Sequence, residues 1–192
     1  MTILGITGGI GSGKTTVCTI FASKGIPVYN SDERAKYILM HHPEVRQQLL
    51  KVFGEKIFTD NLPDRKKIAA IVFTDKEKLK LLNTIIHPKV KQDFEQWKKQ
   101  QTSKLIIKEA AILIESGAYK QVDKLLVITA PLEQRIHRVM QRDNVSRQEI
   151  LNRLSNQFDD KTRLKYAHFV IDNSEGKDLE KQVDEVLSKL HS

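Results

Sequence analysis

Gly8-Gly9-Ile10-Gly11-Ser12-Gly13-Lys14-Thr15 is a complete G-x-x-x-x-G-K-T loop, set between the apolar run Ile3-Leu4-Gly5-Ile6 and a helical pattern that opens at Lys14. Glycines at these offsets let the backbone curl so that successive N–H groups face a polyphosphate, and the following helix aims its positive end at the same anion. A turn that merely joins strand to helix needs neither Lys nor Thr at those two places. Lys14 reaches outer phosphates and the Thr15 hydroxyl is a Mg²⁺ ligand in such a loop. The stretch therefore predicts a site for a nucleoside triphosphate.

Outward from the loop, strands and helices alternate, which predicts a parallel sheet covered by helices on both faces. Short apolar, β-branched runs place strands at Thr2 to Thr7, Ile26 to Asn30, Lys104 to Glu109, Lys124 to Thr129 and His168 to Asp172. Helix one runs from Lys14 to about Lys24, with Gly25 as its stop signal. Residues 32–99 carry interrupted helical periodicity, with Val45, Leu49, Val52 and Phe53 on one face, and form a helical insertion suited to a substrate. The last helix carries Leu179, Val183, Val186, Leu187 and Leu190. The 192 residues fit one domain, 1–192, containing that insertion and a lid over 134–160.

Lys and Arg number 32 against 24 Asp and Glu, a formal net charge of +8, scattered rather than gathered into one basic run. Polyphosphate ligands explain this excess as well as nucleic acid does. Aromatic residues are few and not interleaved with the basic ones, which argues against nucleic-acid binding. No apolar stretch reaches membrane-spanning length and Met1 is followed at once by a strand, so a cytoplasmic protein without membrane contact is expected. Cys18, the single cysteine, reads as a small apolar helix residue.

Arg135, Arg138 and Arg142 recur at spacings of three and four, so one helix face presents all three. Guanidinium forks suit bidentate phosphate contacts, and a lid bearing them is the preferred reading over a solvated surface helix. Asp32 follows strand two at the sheet edge where open α/β sheets gather ligands. It reads equally as a base for an attacking hydroxyl and as the N-cap of the next helix. Glu109 ends strand three, where an acid beside a phosphate loop holds Mg²⁺ through water. Glu115 has no assignment, and His87 before Pro88 reads as a structural histidine at a helix end.

These residues also carry a resemblance along nearly the whole chain. The loop through Thr16, Asn30-Ser31-Asp32, Asp64-Arg65 followed by Val72-Phe73, Leu82-Asn83 through His87-Pro88, Leu113-Ile114-Glu115, Arg138, Arg142-Asp143, Arg153 with Gln157, and Ile171-Asp172-Asn173 resemble the dephospho-CoA kinase family. The resemblance implies a three-layer α/β P-loop kinase that passes the ATP γ-phosphate to the ribose 3′-hydroxyl of dephospho-CoA, the last step of CoA synthesis. It implies ATP held by Gly11, Ser12, Gly13, Lys14, Thr15, Thr16, Arg138 and Asn173, and Mg²⁺ on Thr15 and Glu109. Asp32, Lys14 and Arg142 become the catalytic set, with the insertion, through Asp32, Arg65 and His87, holding the acceptor. One departure is Glu109-Ala110-Ala111 where the family usually has Asp before a Pro-Leu-Leu run. Other readings are a nucleoside monophosphate kinase or similar small-molecule phosphotransferase, and a nucleic-acid-dependent NTPase. A GTPase switch is disfavoured because neither N-K-x-D nor D-x-x-G occurs.

Overall fold

The computed structural model describes residues 1–72 and 74–191; Phe73 of the Val72-Phe73 pair lies outside them. The chain forms two compact units, Met1–Asn30 with Gln101–Ser192, and Ser31–Gln100.

The first unit is built on the parallel strands β1 (Thr2–Thr7), β2 (Val28–Asn30), β5 (Leu105–Glu109), β6 (Lys124–Thr129) and β7 (Phe169–Asp172) in the order β2-β5-β1-β6-β7. The register pairs Asn30 and Ile6 with Glu109, Thr7 with Val127 and Thr129 with Asp172, so the carboxyl ends of the strands line one edge. β1 is central, and the chain leaves it at that edge into the glycine loop, where open α/β sheets bind ligands. The five expected strands are all present. β2 starts at Val28 rather than Ile26 because the Ile26 N–H closes onto the Phe21 carbonyl (3.2 Å) and Pro27 has no N–H to pair.

Leu4, Ile6, Ile107, Leu126, Ile128 and Ile171 pack against Val17, Cys18 and Phe21 of α1 (Lys14–Ser23) and Val183 and Val186 of α9 (Leu179–His191). Leu125 and Val127 face the other way, onto Ala110, Leu113 and Ile114. Burial on both faces explains why these strands read as continuous apolar runs. Between β6 and β7 stand α6 (Leu132–Asp143), α7 (Arg147–Leu154) and α8 (Asp160–Leu164). A capping box starts α7: Ser146 Oγ accepts the Glu149 N–H while the Glu149 carboxylate accepts the Ser146 N–H.

The second unit comprises α2 (Ser31–His41), α3 (Pro43–Phe53), the hairpin β3 (Phe58–Thr59) and β4 (Leu62–Pro63), α4 (Arg65–Val72) and α5 (Lys76–Lys99). Its own core holds Ile38, Val45, Leu49, Phe53, Ile57, Ile68, Ile85 and Ile86. The hairpin interrupts the expected helical pattern: Asp60 (φ 50°) and Asn61 (φ 62°) make a two-residue turn of left-handed residues, which Asp and Asn tolerate. His87-Pro88 does not end a helix either. α5 runs through Pro88 for 24 residues, capped by Asp75, whose carboxylate accepts the Glu77 and Lys78 N–H groups. An interior proline costs about 3 kcal/mol, and burial of Ile85 and Ile86 before it and Phe94 after it, at about 1.5–3 kcal/mol each, more than offsets that. No helix among the described residues is long and apolar enough to cross a membrane.

Candidate active site

Gly13 has φ +91°, a left-handed conformation, and stands immediately before α1 without a side-chain cap. A Cβ there would also collide with the Asn173 carboxamide. The first N–H groups of α1, those of Lys14, Thr15 and Thr16, have no acceptors within the helix. Thr15 and Thr16 are exposed. Lys14 Nζ donates to the Gly8 carbonyl at 2.9 Å, which lays the lysine stem along the loop. Not every loop N–H faces a ligand: the Ile10 N–H donates to Gln157 Oε1 (3.0 Å) and the Ser12 N–H to the Gly9 carbonyl (3.0 Å). Ser12 itself is buried, so its side chain packs beneath the loop.

Asn173 joins the site from the end of β7. Its Nδ2 donates to the Ser12 carbonyl (2.8 Å), its N–H to the Thr129 carbonyl (2.8 Å), and its carbonyl accepts from an Arg138 terminal nitrogen (2.9 Å). The other terminal nitrogen of Arg138 is buried without a hydrogen-bond partner. Beside these residues lies a cavity of about 290 Å³ lined by Gln134, His137, Arg138 and Glu175. Sequence reading names Arg138 and Asn173 but not Gln134, whose Oε1 accepts the Glu175 N–H at 3.1 Å.

The three arginines of α6 do not act alike. Arg135 is 5 % exposed: its Nε donates to the Ile10 carbonyl (2.9 Å), and another guanidinium nitrogen to Asp160 (3.0 Å). A Cβ on Gly9 would strike that guanidinium, so Arg135 packs behind the loop, and the expectation that it belongs to an open phosphate-facing row is corrected. A buried cation survives only when paired, and its pairs are internal. Arg142 is largely exposed and grips its neighbour Asp143 through two nitrogens (2.7 and 3.1 Å). Arg153 reaches the same carboxylate at 3.3 Å, and these guanidinium groups, Arg142 foremost, hold the Asp143 carboxyl below the usual range. Arg142 and Arg153 thus converge on one anion.

Glu109 is buried at the end of β5. Burial pushes the Cys18 thiol up to about 12, with the Glu109 charge adding to the rise and Lys14 opposing it. The same balance places Glu109 and Lys14 within electrostatic reach of one point on α1. Cys18 is an inert buried thiol. No cluster of three or more His, Cys, Asp or Glu that could hold a metal occurs among the described residues. Mg²⁺ beside a triphosphate needs less, one or two protein oxygens with phosphates and water, and the Thr15 hydroxyl with the Glu109 carboxylate fits that donor chemistry.

In the second unit, Asp32 sits in the first turn of α2, one residue past its start, so it is not the N-cap. Arg65 opens α4 and is exposed. His87 occupies the middle of α5 and is exposed at its surface, and the protein packed around the ring lowers its pKa from the usual imidazole value. Arg34, which sequence reading leaves unassigned, donates from Nε to Asp93 (2.8 Å) and lies 4.9 Å above the Tyr37 ring.

The dephospho-CoA kinase family model matches residues 2–178. The chain belongs to the dephospho-CoA kinase family. A dephospho-CoA kinase of Bacteroides fragilis is 39% identical over 189 residues, covering 98% of this chain and 92% of the relative. Among solved structures, a Thermus thermophilus protein superposes with a TM-score of 0.87 at 33% identity, covering 99% of this chain and 96% of its own. The dephospho-CoA kinase of Campylobacter jejuni gives a TM-score of 0.69 at 29% identity, with 98% and 96% covered. Membership in this family makes the chain a P-loop kinase, in keeping with its five-stranded parallel sheet and loop.

Proposed function

We propose that this chain transfers the γ-phosphoryl group of ATP to the ribose 3′-hydroxyl of dephospho-CoA, releasing coenzyme A and ADP. The observation that carries this reading is similarity to dephospho-CoA kinases along residues 2–178, because a phosphate loop alone does not distinguish acceptors. The loop backbone and the α1 N-terminus bind the polyphosphate of ATP. The adenine end lies in the cavity by Gln134, Arg138 and Glu175, beside Asn173, which fixes the loop. Thr15 and Glu109 hold Mg²⁺, which when bound neutralises phosphate charge.

Phosphoryl transfer asks the protein for positioning and charge stabilisation. Lys14 meets the charge spreading over the transferred group, and Asp32 orients the acceptor hydroxyl and takes its proton. The 31–100 unit holds the acceptor, with Arg65 as a cation for its phosphates and His87 as a hydrogen-bonding partner. Residues 134–160 serve as the lid, and Arg142 leaves Asp143 for phosphate when nucleotide arrives.

An acceptor screen with ATP and Mg²⁺ tests the reaction. ADP release is expected with dephospho-CoA and not with AMP, other nucleotides or no acceptor, with the new phosphate on the ribose 3′-oxygen. Equal release with AMP would return the chain to a nucleoside monophosphate kinase, and release that depends on nucleic acid would overturn both.

The lid has its own test. Arg142→Ala removes an exposed ion pair contributing at most about 1 kcal/mol, so the melting temperature should barely move while turnover falls about tenfold or more. Arg138→Ala should have a milder effect on turnover. ATP with dephospho-CoA should also slow hydrogen exchange within 134–160, least around Ile136, Val139 and Ile150, which are already buried together against Ile10. Unchanged kinetics with a lowered melting temperature would make these arginines structural.

A further inference from the structure

Six hydrogen bonds and one peptide unit form a closed circuit that begins and ends on Ile10, inside the phosphate loop. The Ile10 carbonyl accepts from Arg135 (2.9 Å), Arg135 donates to Asp160 (3.0 Å), and Asp160 accepts from Arg163 (3.3 Å). Arg163 donates to Glu115 (2.8 Å), and the same Glu115 oxygen accepts the Phe158 N–H (3.1 Å). Phe158 is joined through its peptide to Gln157, whose Oε1 accepts the Ile10 N–H (3.0 Å). The circuit holds two cations and two anions, with Arg163 fully buried and Arg135 nearly so. Such a set is stable only as a whole, since losing one member leaves another buried charge unpaired. It absorbs Glu115, which the reaction chemistry does not use.

The circuit grips both sides of one residue. A peptide group is planar and trans, so its C=O and N–H point in opposite directions. Holding the Ile10 carbonyl on Arg135 therefore aims the Gly11 N–H away from that arginine. Holding the Ile10 N–H on Gln157 likewise aims the Gly9 carbonyl the other way, where it accepts the Ser12 N–H. Gly9 and Gly11 flank Ile10, and glycine gives a peptide the freedom to flip. Two successive peptide planes of the loop are thus set from outside it, by α6 and by the turn between α7 and α8.

We propose that Gln157 is a positioning residue for nucleotide binding: together with the Arg135–Asp160–Arg163–Glu115 chain it holds the loop peptides in the phosphate-accepting orientation without touching the nucleotide. Residues 155–159 thereby couple the lid segment to the phosphate cradle. This rests on the reading of the loop as an ATP site.

Gln157 is the member to test because it is uncharged, so its loss strands no buried ion. Gln157→Leu removes the acceptor, and Gln157→Glu keeps an oxygen in its place. The measurements are calorimetric titration with ADP, steady-state KM values for ATP and dephospho-CoA, and the melting temperature. For Gln157→Leu the ADP Kd and the ATP KM should rise about tenfold, with the dephospho-CoA KM within twofold and the melting temperature near that of the parent. Gln157→Glu should bring ADP binding back to within threefold. Parental ADP affinity in Gln157→Leu overturns the proposal, as does a loss that follows a fall in melting temperature and is not recovered by Gln157→Glu. If the parent binds ADP but leaves dephospho-CoA unphosphorylated, the proposed reaction fails while the ADP titrations still decide the role of Gln157. A parent that binds no ADP sinks both.

Discussion

Lys14→Ala is expected to yield a folded protein whose kcat/KM for ATP falls by about 10²–10³. Lys14 is half-buried at the first position of α1, and its ammonium group rests on the Gly8 carbonyl at 2.9 Å. Removing that hydrogen bond costs about 1 kcal/mol of stability, and Ala is the best helix former, so the fold loses little. Turnover loses more. A preorganised cation facing developing phosphate charge is worth about 3–4 kcal/mol, and each 1.4 kcal/mol is a factor of ten in rate. Steady-state kinetics beside a thermal melt separates the two effects. A variant with near-normal turnover would remove Lys14, and with it the loop's offset argument, from the catalytic account.

How much of this was legible in advance depends on the range of the interaction. Gly8 to Thr15, the strand before it and the helix after it are local chemistry, and β1 and β6 fall where the apolar runs put them. Asp60-Asn61 is a local turn signal too, masked because strands of two residues leave no period to read. The failures are nonlocal. Pro88 inside α5 is a packing override of propensity, set by Ile85, Ile86 and Phe94. Arg135 shares its spacing with Arg138 and Arg142, and nothing within one turn of helix says that its partners are Ile10 and Asp160, 125 and 25 residues away. Glu115, Gln157 and Arg163 acquire meaning only once the sheet brings their loops together, and no periodicity encodes that.

Asp32→Asn carries the second large expected effect, and the structure sharpens its logic. Since α2 starts at Ser31, Asp32 is a first-turn residue, and its charge contributes about 0.3–1 kcal/mol through the helix dipole rather than through a cap. Asn keeps the size and an acceptor oxygen, so the melting temperature should fall by little, and ATP binding, which rests on the loop, should persist. What Asn lacks is a site for a proton at neutral pH and the negative charge that orients a hydroxyl. A general base contributes about 10²–10⁴ in rate, so phosphorylation of dephospho-CoA should drop by at least about a hundredfold with the KM for ATP almost unchanged. The kcat-against-KM split is the decisive reading, because a merely structural carboxylate would move the melting temperature and both KM values together. Retention of most activity in Asp32→Asn would reduce the carboxylate to a helix-dipole partner. Activation of the hydroxyl would then fall to positioning alone, in line with a loose transition state that asks little of a base.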